Sequence, residues 1–449
     1  MRSPAVPSPR EPVTPVVPPA PGLPVPPASA APPVPPLSLP VAAPLGAAPL
    51  SLDLHGLFQL QYLARATQDH LARRLAGGVG TPTVPPGGLP QPATPTLDES
   101  TVLLRRARLA AAGFVGTPRL EYFAEVDVGL GQVQALEYRL RIALGRGLAI
   151  NAGQMRVPFS RSWLTREERL VFPERDIATE QFRYDYDVGL SIEGAWLSGR
   201  LRAVLGGFNG GGALLGRNDN LDPVLVVRVS GTPIGAPEEH PERLAVSVGG
   251  GATLDYVPVP LAYGFLSGTT PPRALARDAN GDGLTDGVRV VQAEVDVVVA
   301  RRGLVFEAEG FLRREQWGDL GRRQPTIESM FVPRPTYGGF HAQLSQALLR
   351  GRARVGARFA LTELSPLAIG GKHYDAHDCL PDNATTYRCA LPYADERTEI
   401  TGLVAGQPVL DLPLWISAMY TRLLWRSIAD PPPPSPGEHR VIVTAQLAF

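Results

Sequence analysis

Arginines recur two residues apart along this chain: Arg106 with Arg108, Arg139 with Arg141, and Arg352 with Arg354, followed by Arg358, while Arg156 closes an apolar run. Side chains two apart in an extended strand share a face, so each pair is a short guanidinium ladder. Such ladders beside confined water draw anions and replace part of their hydration. Carboxylates stand on the same kind of face at Glu121, Glu125 and Glu137, where cross-strand pairing would neutralise the arginines. An anion-drawing lining and an electrically balanced one both remain open.

Other groups point to metals or a cross-link. DANGDGLTDG presents Asp278, Asn280, Asp282 and Asp286 around Gly283, as a calcium-binding loop would. An EF-hand needs glutamate at its twelfth position, and Arg289 stands there, so the choice is between a shorter calcium loop and an ordinary Asp/Asn/Gly turn. Calcium at this loop is the one cofactor suggested, and none is required. His373, Asp375, His377 and Asp378 could chelate a transition metal or form a solvated loop tip. Beside them are the only two cysteines, Cys379 and Cys389, spaced for a local disulfide in an oxidising compartment. No nucleophile elbow, phosphate-binding lysine loop or dinucleotide fingerprint occurs, and no enzyme is expected.

The chain has 449 residues, 44% apolar and 19% charged, with 43 basic and 43 acidic groups. That balance leaves no overall field to draw nucleic acid or anionic lipid, so local placement carries any electrostatic effect. Lys372 is the single lysine, an arginine bias that GC-rich coding produces without function.

Alternation with period two dominates the elements that carry these groups. Leu52, Leu54, Gly56, Phe58, Leu60 and Tyr62 alternate with Ser51, Asp53, His55, Gln59 and Gln61. Leu120, Tyr122, Ala124, Val126 and Val128 oppose Arg119, Glu121, Glu125 and Asp127; Leu136, Tyr138, Leu140 and Ile142 oppose Glu137, Arg139 and Arg141. The pattern returns at 187–196, 292–299 and 304–313, with further strands expected near 101–115, 148–157, 200–208, 224–230, 243–254, 336–348, 351–360, 397–405, 410–424 and 438–449. Phase is expected to slip near Gly153.

A soluble sandwich also alternates, but here consecutive polar positions are ionic while the opposite positions are nearly free of charge. The oily side then fits lipid and the ionic side an aqueous lumen. The expected fold is all-β: a closed antiparallel transmembrane β-barrel of about sixteen strands. Val441, Val443, Ala445, Leu447 and Phe449 form a last strand ending on an aromatic, and Tyr62, Trp196, Trp317, Tyr420 and Trp425 are candidates for interfacial girdles. Residues 1–49, rich in proline, form an extension before a barrel of residues 50–449; it is read as a periplasmic tether or an unprocessed leader. It lacks the compact apolar core of an export signal, which is expected upstream or already removed. Gly77 to Thr96 reads as a long loop.

LLRRARLAAAGF from Leu103 opens a resemblance to the phosphate-selective porin O and P family. It continues through LEYFAEVDVG, LAINAGQMRVPFSRSWLTREERLVFPERDIATEQF, DVGLSIEGAW, LGGFNGGG, GLVFEAEGFLRRE and YGGFHAQLSQ, covering most of residues 100–350. The resemblance implies a sixteen-stranded outer-membrane barrel of a Gram-negative bacterium, commonly a homotrimer, with an inward-folded third loop as its constriction. Here that loop is Arg156 to Asp187, carrying Arg161, Arg166, Arg169, Glu174 and Arg175 with Glu167 and Glu168, of mixed sign and without lysine. The implied function is passive diffusion of small hydrophilic solutes, with anions such as phosphate as candidates. A barrel serving as surface scaffold or adhesin, and a secreted soluble β-protein, are the other readings. Nucleic acid is not an expected partner; outer-membrane lipid is.

Overall fold

In β1 (Asp53–Thr67), Phe58, Leu60 and Tyr62 are 44, 43 and 41% exposed, whereas the intervening Gln59 and Gln61 are 0 and 3% exposed. Bare oil outside and covered polarity inside suit a strand whose outer solvent is hydrocarbon. The computed structural model describes residues 50–67, 99–131, 133–210, 223–235, 243–257, 288–317, 336–364, 396–409, 412–426 and 437–449, with short pieces at 367–369, 372–374, 379–383 and 386–389.

After β1 come β2 (Glu99–Val115), β3 (Thr117–Asp127), β4 (Gln134–Gly145), β5 (Leu148–Arg156), β6 (Tyr186–Trp196), β7 (Leu201–Phe208) and β8 (Val224–Ile234). The second half holds β9 (Ala245–Val257), β10 (Val288–Arg301), β11 (Leu304–Trp317), β12 (Thr336–Leu348) and β13 (Ala353–Leu364). Two small hairpins follow, β14 (Leu367–Ile369) with β15 (Lys372–Tyr374) and β16 (Cys379–Asn383) with β17 (Thr386–Cys389). Then β18 (Glu396–Gly406), β19 (Leu414–Arg426) and β20 (Gly437–Ala448) complete the wall. Apart from the hairpins, each strand pairs antiparallel with its neighbours, and β20 pairs back onto β1 to close a sixteen-stranded barrel. Every strand range expected from the alternation falls on one of these wall strands.

Closure is sealed at Phe449, which exchanges both backbone hydrogen bonds with Gly56, at 2.7 and 3.0 Å. Its ring occupies the place a side chain at residue 56 would need: a Cβ there would lie 2.2 Å from the ring. Tight turns share this end. Arg146–Gly147 and Arg302–Gly303 all have positive φ, the twist that two-residue hairpins require. Apart from residues 128–133, connections at the opposite end run to ten residues or more.

Bulges decide which side chains enter. Between β3 and β4, Glu125 faces Glu137 but Val126 faces Ala135, so Leu136 has no partner. Leu136, expected on the oily face with Tyr138, turns inward against Trp163 and Tyr186, because one inserted residue inverts the phase. Between β1 and β2, Gln59 faces Arg106 and Leu60 faces Leu104, which leaves Arg105 as the extra residue. In β5 the pairing runs on without a shift past Gly153, but φ there is +127° and Gln154, Met155 and Arg156 are all buried in succession.

Candidate functional site: the constriction loop

Residues 157–185 leave β5 and return to β6 through the barrel interior. Val157, Phe159, Trp163, Phe172 and Phe182 are buried, although the segment is a loop by position. Two short helices stiffen it, α1 (Arg161–Leu164) and α2 (Ile177–Phe182). Ser160 caps the first by accepting from Trp163 N–H, and Asp176 caps the second by accepting from Thr179 N–H.

The loop is moored to the far wall by backbone as well as side chains. Glu309 of β11 accepts the N–H groups of Arg161 and Ser162 at 2.9 and 3.0 Å, and Glu307 accepts from Arg161 Nε at 3.0 Å. Glu399 of β18 accepts Ile177 N–H at 3.0 Å. His341 of β12 lies 3.2 Å from Asp176 and within 3.4 Å of the Ser162 and Thr179 hydroxyls. Phe182 stacks on Phe311 with centroids 5.3 Å apart. Gly339 makes room for it, since a Cβ there would sit 2.3 Å from the Phe182 ring.

The near wall is tied through two loop carboxylates. Glu167 accepts from Arg108 at 2.5 Å, Arg156 at 2.6 Å and Arg175 at 2.9 Å. Burial pushes its carboxyl upward, but Arg108, Arg156, Arg175 and Arg106 outweigh burial and hold it well below the ordinary range. Glu174 accepts from Arg105, Arg106 and Gln61; burial again opposes ionisation, and Arg105 and Arg106 overcome it. Trp163 lies under three guanidinium groups, those of Arg183, Arg175 and Arg156, at 4.0, 4.7 and 5.1 Å.

Of the wall arginines singled out from the sequence, six meet carboxylates. Arg106 pairs with Glu174, Arg108 with Asp127 and Glu167, Arg139 with Glu137, Arg141 with Glu121 and Glu193, Arg156 with Glu167, and Arg358 with Glu399. Arg354 is buried beside the Trp415 ring. Arg352 is exposed in the turn between β12 and β13, where Leu349 and Gly351 take positive φ. Among the loop residues, Arg161 and Arg175 are locked as above, while Arg166 lies over the Phe123 ring with Glu125 and Glu168 at 3.8 Å. Arg169, with Ser162, Thr165, Phe172, Gln343 and Arg358, lines a cavity of about 20 Å³, room for one water-sized group.

Arg105, Asp176, His341 and Glu399 were not picked out from the sequence. Alternation places His341 and Glu399 on inward faces, but only the loop's path gives them partners. Asp278, Asn280, Asp282 and Asp286 lie outside the described residues, as do Asp375, His377 and Asp378. Among the described residues no group of three or more His, Cys, Asp or Glu is arranged to hold a metal ion. Cys379 and Cys389 are direct register partners on β16 and β17.

Ser162, His341 and Asp176 stand in the order of an acyl-transfer triad, but the surroundings oppose that chemistry. Burial would raise the Asp176 carboxyl, yet the His341 ring beside it overrides burial and holds it low. The backbone N–H of Ser162, which an oxyanion would use, is donated to the Glu309 carboxylate. The row serves as a mooring.

The closed sixteen-stranded barrel resembles in fold solved structures of outer-membrane proteins. The outer membrane channel DcaP of Acinetobacter baumannii matches with a TM-score of 0.52 at 10% identity, over 89% of this chain and 97% of that one. OmpT of Vibrio cholerae in its trimer form gives 0.47 at 11% identity over 89% and 99%, and OprD of Pseudomonas aeruginosa 0.37 at 10% identity over 89% and 95%. At such identities the likeness concerns the fold. No protein-family model matches the chain and no curated protein matches its sequence, so the phosphate-selective family does not follow from the fold.

Proposed function

We propose that this chain is a passive channel of the Gram-negative outer membrane, passing small hydrophilic solutes through a lumen narrowed by residues 157–185. The observation that carries the reading is one charged loop crossing the interior of a closed barrel whose outer face is apolar. Charges of both signs line the passage, and among the described residues six of the candidate wall arginines pair with carboxylates, which favours weak selectivity over selection of phosphate. In this reading the tight-turn end, with Phe449, faces the periplasm and the longer connections face outward. Residues 1–49 are read as a periplasmic tether or an unprocessed leader, and assembly as a homotrimer is the expectation carried by the motif resemblance. Calcium held by Asp278, Asn280, Asp282 and Asp286 and a disulfide between Cys379 and Cys389 belong to the same proposal.

Purified protein in a planar bilayer tests the reading. Stepwise conductance with a small unitary current is the expected result, and a reversal potential close to zero under a potassium chloride gradient would express the balanced lining. Silence in the bilayer, with the barrel intact by heat-dependent gel mobility, would overturn the channel and favour a surface scaffold.

A further inference from the structure

An arginine-centred polar cluster stands on the outward side of the wall. Along β19, Ser417, Met419, Thr421 and Leu423 are buried inward, with Thr421 bonded to Thr401 and Met419 packed in the cluster around Phe172. Ile416, Tyr420 and Leu424 are exposed outward, and Arg422 shares their parity. Its register partners are Ile400 on β18 and His439 on β20, and His439 faces Ala66 on β1 in turn. The wall around it is apolar, with Ile400, Leu424 and Val441 all exposed. A cation on such a surface needs an anion or water within reach.

The three polar side chains form one chain. Arg422 Nη1 donates to His439 Nε2, which puts the ring proton on Nδ1, from where it is donated to the Tyr420 hydroxyl oxygen at 2.6 Å. This ties one end of the guanidinium to the His439 ring. Among the described residues no carboxylate is paired with Arg422.

Height fixes what those donors meet. Ten residues separate Phe449 from His439 along β20. At about 3.4 Å per residue and a tilt of about 40°, that is about 26 Å along the membrane normal. The apolar band of an outer-membrane barrel is about 25 Å tall with aromatics at both edges. With Phe449 at one edge, the Tyr420–His439–Arg422 chain falls at the other, on the side of the longer connections, at the level of lipid headgroups.

We infer that Arg422, aligned by His439 and Tyr420, is a docking point for the phosphate of an outer-leaflet lipid. The inference rests on the outer-membrane reading above. A planar guanidinium fits a phosphate with two parallel donors, and the flanking Ile400, Leu424 and Val441 receive the acyl chains. The site would hold one anionic lipid beside the seam where β20 meets β1.

Native mass spectrometry of the full-length barrel in detergent reads this directly, with a diphosphorylated glucosamine-disaccharide lipid as probe. The protein should retain that lipid, and Arg422→Gln should reduce retention about tenfold, the loss of one charge-assisted contact. His439→Ala should weaken retention less, and Arg422→Lys should keep part of it. The dephosphorylated lipid should not be retained, and inorganic phosphate should not displace the phosphorylated one. Equal retention by wild type and Arg422→Gln, or equal retention of the dephosphorylated lipid, overturns the site; displacement by inorganic phosphate would make it a free-anion site and overturn it equally. Bilayer conductance of the same samples reports separately on the channel reading. Arg422 points away from the lumen, so its variants should conduct as wild type does.

Discussion

Arg161 of the loop and Glu307 of β11 meet at 3.0 Å across the barrel, 146 residues apart in sequence. Beside them Glu309 receives two backbone N–H groups from the same helix turn. These bonds hold the loop as a crossbar, because no stretch of backbone links it to the far wall.

Arg161→Ala should therefore free the loop at α1. Removing one member of a buried pair leaves the other charge uncompensated and costs about 3–5 kcal/mol. The barrel itself should persist, with unchanged heat-dependent mobility, while hydrogen exchange at residues 157–165 speeds up and unitary conductance rises. Unchanged exchange in the variant would show that the crossbar is held elsewhere.

Glu167→Gln should act on selectivity. Three arginines converge on that carboxylate, and the neutral amide removes a negative charge while leaving the cations in place. The reversal potential under a salt gradient should move toward the anion value, and the loop should lose about 3–5 kcal/mol of docking stability from the same unpaired charges. A shift toward cations would contradict the geometry.

Acid should release the loop only below the usual carboxylate range. Glu167, Glu174 and Asp176 all have folded-state values depressed below 4.5 or 3.8, despite burial that pushes each one up, because arginines or His341 outweigh it. A depressed carboxyl contributes stability that is fully present above its unfolded value and is lost as pH falls through the folded one. Conductance and loop exchange should thus hold steady from pH 7 to about 5, and change only in stronger acid. A transition centred near pH 6 would exclude these carboxylates as the cause.

Gly339→Ala tests the seat of Phe182. The added methyl would lie 2.3 Å from the ring, so α2 must shift or the wall must give, at a cost of about 1–3 kcal/mol. Proteolysis within residues 177–185 should accelerate. Gly338→Ala is the matched control, since nothing lies within 4 Å of a Cβ there.

Much of the wall was legible in the sequence because a strand's two faces repeat every second residue, and here the outward face is apolar while the inward face is polar. That contrast marked Phe58, Leu60 and Tyr62 as one face and Gln59 and Gln61 as the other, and it located every wall strand. The loop's boundaries came from motif resemblance, and its bounds agree with the ends of β5 and β6. Alternation alone could not foresee that the bulge at Leu136 or the extra residue Arg105 would turn inward, because a bulge is a mismatch between two strands and belongs to neither alone.

The pairing of charges was left to the tertiary structure. Sequence placed arginines and carboxylates on the same face and left neutralisation open; only the register and the loop's path bring Glu167 to Arg108, Arg156 and Arg175, or Asp176 to His341. Contacts between residues more than a hundred positions apart depend on how the barrel curves and where the loop turns. Neither is written in a local period, whereas the oil-and-water alternation that specified the strands is local by nature.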